Sequence, residues 1–176
     1  MYVAGFVGRS GSGKTTLIEA LLGEFAQRGL RASVIKHAHH GFELDREGKD
    51  SWRHRKAGAY EVLVASPHLL ALQRETREAR EYDLHDLLRR LDPVDWVMVE
   101  GFKHAPIPRI EVWRASVAPV PLLAGDPGLV ALASDGEAPR ELGETPVLDL
   151  RQPRAIAEWL LCHRQRFEFA DVPSQP

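Results

Sequence analysis

The sequence predicts an α/β fold, a mainly parallel sheet with helices on both faces and an added antiparallel strand pair. Three observations predict it. Apolar runs of strand length alternate with stretches of helical spacing, the first run opens directly into a glycine-rich turn, and two later runs are separated only by a Ser66-Pro67 break.

Tyr2 to Val7 is a short apolar run closed by glycine, as in a strand buried on both faces. Leu17, Ile18, Leu21, Leu22 and Phe25 then recur at helical spacing, with Gly29 as a stop. Arg31 to Lys36 reads as a second strand. His37 to Lys49 is polar and aperiodic, a long loop before a helix capped by Asp50. Tyr60 to Ala65 and Leu69 to Leu72 form the antiparallel pair. Arg74 to Glu81 alternates in charge and reads as solvated surface leading into a short helix from Asp83 to Leu91. Further strands are expected at Val94 to Val99, Ile107 to Trp113 and Leu129 to Ala133, and a last helix from Pro153 to Arg166. Pro119 to Pro127 and Gly136 to Pro146 read as loops.

A chain of 176 residues is long enough for one core, so a single domain is expected over 1–170, with a disordered tail over 171–176. Its net charge of -2 excludes a general nucleic-acid or anionic-membrane binder, and any anion site must be local. No apolar run approaches the roughly 20 residues of a membrane-spanning helix. The N-terminus reads as a strand rather than a signal peptide. The lone Cys162 cannot form an intramolecular disulfide, which fits a reducing, cytoplasmic setting.

Gly8, Arg9, Ser10, Gly11, Ser12, Gly13, Lys14 and Thr15 match G-x-x-x-x-G-K-[ST], between a predicted strand and a predicted helix. This is the arrangement a phosphate-binding loop requires, and it marks 1–170 as a P-loop nucleotide-binding domain. Glycines let backbone N–H groups and the positive end of the helix close on an anion. Lys14 can lie between the β- and γ-phosphates, the Thr15 hydroxyl can join a Mg²⁺ shell, and Thr16 can reach the α-phosphate. The bland alternative is a glycine turn before a helix, with Lys14 merely solvated.

Glu100 follows four apolar residues, at the carboxyl end of a predicted strand, and can hold Mg²⁺ or orient water. Lys14 and Glu100 are therefore the candidate catalytic pair. Asp45, in the long loop, is a further candidate oxygen ligand for Mg²⁺. His37, His39 and His40 invite a transition-metal reading, but their spacing matches no closed site. Lys36, His37, Asp50, Arg53, Arg55 and Lys56 stand near the same loop and either meet a second phosphorylated ligand, act as a switch, or decorate a helix face. Asp135 follows the Leu129 to Ala133 strand, where a carboxylate can accept from guanine N1 and N2. The lysine that GTPases carry two residues before this aspartate is absent, since Ala133 stands there.

With these motifs, KHAHHGFELDREGKDSWRHRKAGA from Lys36 to Ala59 and WVMVEGFKH from Trp96 to His104, the chain resembles the MobB family, molybdopterin-guanine dinucleotide biosynthesis adapters. The resemblance covers most of 1–135. It implies a P-loop GTPase-like fold, GTP binding with Mg²⁺ and slow hydrolysis, a homodimer, and cooperation with a MobA guanylyltransferase. Carried over by position, the loop residues bind phosphate, Thr15 and Glu100 serve the metal, and Asp45 and Asp50 belong to the loop signature. Two other functions compete: a P-loop kinase acting on a small metabolite with ATP, using Arg53, Arg55 and Lys56, and a nucleotide-driven metallochaperone using the three loop histidines.

Overall fold

The computed structural model describes residues 1–38, 41–76, 78, 80–137, 139 and 142–169. The elements follow in the order β1 (Tyr2–Val7), α1 (Lys14–Gln27), β2 (Ala32–Lys36), α2 (Asp50–Lys56), β3 (Glu61–Ala65) and β4 (Leu70–Arg74). After these come α3 (Leu84–Leu88), β5 (Trp96–Glu100), β6 (Arg109–Trp113), β7 (Leu129–Ser134), β8 (Val147–Asp149) and α4 (Pro153–Cys162), with a 3₁₀ turn over Arg164–Phe167. The chain divides into two compact units, residues 38–83 forming one and residues 1–37 with 84–176 the other, within the span that the sequence reads as one domain.

In the larger unit six strands, among the described residues, lie in the order β2-β5-β1-β6-β7-β8, and every pairing between them is parallel. Their continuous apolar runs are explained by burial on both faces. Side chains alternate across a strand, so Ala4 and Phe6 of β1, Trp96 and Met98 of β5, and Ile110 and Val112 of β6 share one face. There they meet Leu17, Ile18, Leu21 and Phe25 of α1 and Ile156, Ala157 and Leu160 of α4. Val3, Val97 and Val99 point to the other face, against Leu84 and Leu88 of α3.

Trp96 is 1% exposed and packs its ring against Tyr2, Phe25 and Phe167 at centroid separations of 5.1, 5.3 and 5.6 Å. Each large apolar side chain buried in this way contributes about 1.5–3 kcal/mol, which fixes the register of the strands carrying the site. α1 ends as Gly29 predicts: Gly29 N–H bonds Ala26 O and Leu30 N–H bonds Phe25 O, closing the last turn.

In the smaller unit β3 and β4 are antiparallel, with Leu63 opposite Leu72 and Ala65 opposite Leu70. α2 packs on β3. Asp50 is not the cap of α2: Lys49 holds that position in extended conformation, and Asp50 is the first helical residue, where its charge still complements the helix dipole. β8 was not expected; three residues long and partly exposed, it leaves too short an apolar pattern to read. The last helix also stops at Cys162, short of the expected Arg166. The 171–176 tail lies outside the described residues.

Candidate functional site

β1 is an inner strand, and its carboxyl end delivers Gly8 to Gly13 into the turn before α1. At Gly8 (φ 145°) a Cβ would stand 2.8 Å from Ser12 Oγ and inside contact of the Val112 carbonyl oxygen, so only glycine lets the loop pass this close to β6. Gly13 heads α1 in a left-handed conformation, with no side-chain cap and no acidic residue in the first turn. The first N–H groups of a 14-residue helix are thereby left facing the loop, with no carboxylate to neutralise the helix dipole.

Lys14 Nζ donates to the carbonyls of Gly8 (3.0 Å) and Arg9 (2.8 Å), which folds its side chain back over the loop. Burial pushes the ammonium below the usual lysine range; the Glu100 charge opposes that shift and the Lys36 charge adds to it. Thr15 Oγ1 donates to Glu100 Oε1 at 3.0 Å. Lys36 Nζ, at the end of β2, lies 3.4 Å from the same carboxylate oxygen. Parallel pairing of Phe6 and Lys36 with Glu100 sets all three strand ends level, and only 9% of Glu100 remains exposed. Among the loop residues, Arg9, Ser10 and Gly11 are exposed, as is Thr16, whereas Ser12 is buried with an unpartnered Oγ.

These features fit a Mg²⁺-bound triphosphate. Lysine, helix N-terminus and loop N–H groups are anion ligands, and Thr15 with Glu100 is the small oxygen set that Mg²⁺ takes from a protein when phosphates and water supply the rest. Gly101 (φ 94°) then turns the chain away from β5; a Cβ there would press on His37 Cβ at 3.0 Å. His37 N–H bonds the Glu100 carbonyl at 2.9 Å, and its ring meets Phe102 at 4.9 Å.

Asp45, Asp50, Arg53 and Arg55 belong to the smaller unit. There Asp45 Oδ1 accepts from Gln73 (2.9 Å) and Ser51 (3.0 Å), and these bonds, with Arg55, hold its carboxyl below the usual range. Arg55 lies 3.5 Å from Asp45 and pairs with Glu43 (2.5 Å) and Glu75 (2.6 Å). These bonds tie the loop, α2 and the segment after β4 together. Arg53 lines an open surface depression with Trp52, His54 and Lys56. Among the described residues no group of three His, Cys, Asp or Glu is placed to hold a metal ion; His39 and His40 lie outside those residues.

On the other side of the loop Asp135 follows β7 and pairs with Arg114 Nη1 at 2.8 Å. Arg114 was missed by sequence reasoning. The signal was present, since it is a charged residue following the apolar end of β6, much as Glu100 closes the apolar run of β5.

A parallel sheet in this order, with a glycine-lysine loop at the end of an inner strand and a carboxylate at the end of its neighbour, defines an α/β protein whose loop and strand ends form one site. The profile of MobB, Molybdopterin guanine dinucleotide synthesis protein B, matches residues 3–135, and the chain belongs to this family. It is 39% identical over 159 residues to the molybdopterin-guanine dinucleotide biosynthesis adapter protein of Escherichia coli, covering 89% of each chain. To that of Haemophilus influenzae it is 40% identical over 158 residues, covering 89% of this chain and 85% of the relative. A crystal structure of molybdopterin-guanine biosynthesis protein B matches with a TM-score of 0.71 at 29% identity, over 91% of this chain and 98% of that one. The Bacillus subtilis MobB crystal structure matches at 0.72 and 26% identity, over 97% and 100%.

Proposed function

We propose that the chain is a GTP-binding adapter in molybdopterin guanine dinucleotide biosynthesis, and that its nucleotide state governs docking on a MobA-type guanylyltransferase. Family membership supports the pathway, since the relatives carry that adapter name. The nucleotide part is carried by one observation: Lys14, Thr15 and Glu100 converge at the carboxyl ends of β1 and β5.

In this reading the loop N–H groups and Lys14 bind the phosphates, Thr15 and Glu100 hold Mg²⁺, and Asp135 reads the guanine edge. Bound Mg²⁺ neutralises charge on the phosphate oxygens. Hydrolysis is slow, because Glu100 is already engaged by Thr15 and Lys36 rather than free to orient water. The free, exposed Cys162 suits a reducing cytoplasm. A homodimer is supported by the β3–β4 pair, whose Leu63, Leu70 and Leu72 share one face and are 61%, 68% and 54% exposed.

Calorimetric titration with GTP and ATP in Mg²⁺ buffer, repeated with a molybdopterin guanylyltransferase present, tests the reading. Guanine preference and stronger retention of the enzyme in one nucleotide state are expected. Equal retention with and without GTP removes nucleotide-controlled docking. Rapid, acceptor-dependent consumption of ATP moves the protein to the small-metabolite kinases instead.

A further inference from the structure

Arg114 spans two parts of the site that no motif connects. Its Nε donates to the Ser12 carbonyl of the phosphate loop at 3.0 Å, and its Nη1 lies 2.8 Å from Asp135 Oδ2. The remaining nitrogen, Nη2, sits against Gly13, 3.3 Å from where a Cβ would stand. One planar guanidinium thus sets the distance between the phosphate loop and the carboxylate after β7.

Both ends are fixed from behind. The Arg114 carbonyl accepts from the N–H groups of Val117 (2.9 Å) and Ala118 (3.1 Å), and Trp113 Nε1 donates to the Ala118 carbonyl at 3.1 Å. Glu111, two residues earlier in β6 and 1% exposed, accepts from the N–H groups of Leu122 (2.6 Å) and Leu123 (2.8 Å), pinning the rest of that turn. Before Asp135, buried Ser134 accepts from Gly136 N–H through its hydroxyl at 3.2 Å and from Leu150 N–H through its carbonyl at 2.9 Å.

The Arg114 and Asp135 side chains are 38% and 35% exposed, and an ion pair so open to water contributes little to stability. Its consequence is orientation. A carboxylate offers about four acceptor positions, and Arg114 takes one of them on Oδ2, leaving Oδ1 and the rest in a fixed plane. Guanine presents N1–H and N2–H side by side and needs such a plane; adenine presents an acceptor, N1, at the same edge. A further cation, Arg151, senses the Asp135 charge but is committed to Asp149 through bonds of 2.8 and 2.9 Å.

We propose that Arg114 is a positioning residue for base specificity: from the end of β6 it holds Asp135 against the phosphate loop. The inference rests on the guanine-nucleotide reading above. It is tested by measuring the affinity of the full chain, with Mg²⁺, for GTP, ATP and inorganic tripolyphosphate, in wild type, Arg114→Ala, Arg114→Lys, Asp135→Ala and the Arg114→Ala/Asp135→Ala double variant.

Arg114→Ala is expected to lower the GTP-to-ATP affinity ratio by about tenfold, which is about 1.4 kcal/mol of discrimination, while tripolyphosphate binds as in wild type. Arg114→Lys keeps the charge but not the two-directional fork and should lose most of the ratio. In the Arg114→Ala/Asp135→Ala double variant the ratio should fall no further than in Asp135→Ala. A wild-type ratio in Arg114→Ala overturns the proposal and leaves the guanine reading intact. Equal weakening of all three ligands also overturns it, because Arg114 then only props the loop through Ser12. Wild type binding GTP and ATP equally, with tripolyphosphate still bound, removes the guanine reading and Arg114's role with it.

Discussion

Lys14 illustrates how a binding residue works against the stability of its own fold. Burial disfavours its charged form, so its pKa falls below the ordinary lysine value. A depressed lysine pKa means that the folded protein binds fewer protons than the unfolded chain between the folded and unfolded values. The penalty is present below that value and relieved as pH rises through it. Lys14→Met should therefore leave thermal stability unchanged or slightly raised near neutrality, while weakening triphosphate binding about 10- to 100-fold, the loss expected for charge-assisted hydrogen bonds. In wild type, GTP affinity should decline from neutrality towards alkaline pH earlier than an ordinary lysine predicts, as calorimetry across that range would show. Glu100→Gln keeps an acceptor for Thr15 but removes the charge, so Mg²⁺ should no longer strengthen triphosphate binding; a full Mg²⁺ response in that variant excludes Glu100 as metal partner. Asp45 differs, because it belongs to the smaller unit, where Oδ1 accepts from Ser51 and Gln73 and Arg55 lies 3.5 Å from Oδ2. Asp45→Ala should loosen residues 38–83, seen as faster hydrogen exchange there, and leave the Mg²⁺ response unchanged.

At the scale of elements, legibility follows burial. β1, β5 and β7 are continuous apolar runs because both faces of the sheet are covered, and they could be read within one or two residues of their ends. The loop and Glu100 were legible for the same reason, since strand ends in a parallel sheet are where ligands gather. β6 was read as closely, its end at Trp113 and its start two residues early, but the partners of Arg109 and Glu111 within it were not. Both are buried: Arg109 meets Asp126 at 2.6 Å and the Lys103 carbonyl, and Glu111 meets two backbone N–H groups. Such partners are distant in sequence, so neither they nor the Arg114 bridge could be read from spacing. Asp50 was misplaced by one position because an acidic residue suits both a cap and a first turn. α1 turns Leu17, Ile18, Leu21 and Phe25 into the core, and that side is sensitive to mutation. Leu21, fully buried, should cost about 2–5 kcal/mol when changed to alanine, measurable by urea unfolding. Because α1 begins at Lys14, that variant should also weaken nucleotide binding; unchanged affinity would show that the loop is organised independently of the helix.

For the whole molecule, the two units differ in how completely they bury themselves. The larger has apolar clusters on both faces of its sheet, whereas the smaller rests on α2 and a two-stranded sheet. An isolated hairpin is marginal in water, and this one presents Leu63, Leu70 and Leu72 on a single exposed face. Each strand also has an edge that, among the described residues, no further strand pairs. Val62, Ala71 and Gln73, on the opposite face, are only partly exposed, whereas Val64 beside them is 46% exposed, so the leucine face is the more open of the two. Covering the leucine face with a second copy removes apolar surface and can pair a free edge at once, which is the physical case for a homodimer. Leu63→Asp combined with Leu72→Asp sets like charges directly opposite each other across the strand pair and in the path of any partner. Light scattering should then report a monomer, while GTP still binds the larger unit with its wild-type affinity. A dimer that survives both substitutions rules this face out as the interface, and a parallel loss of GTP binding would mean that the nucleotide site depends on assembly.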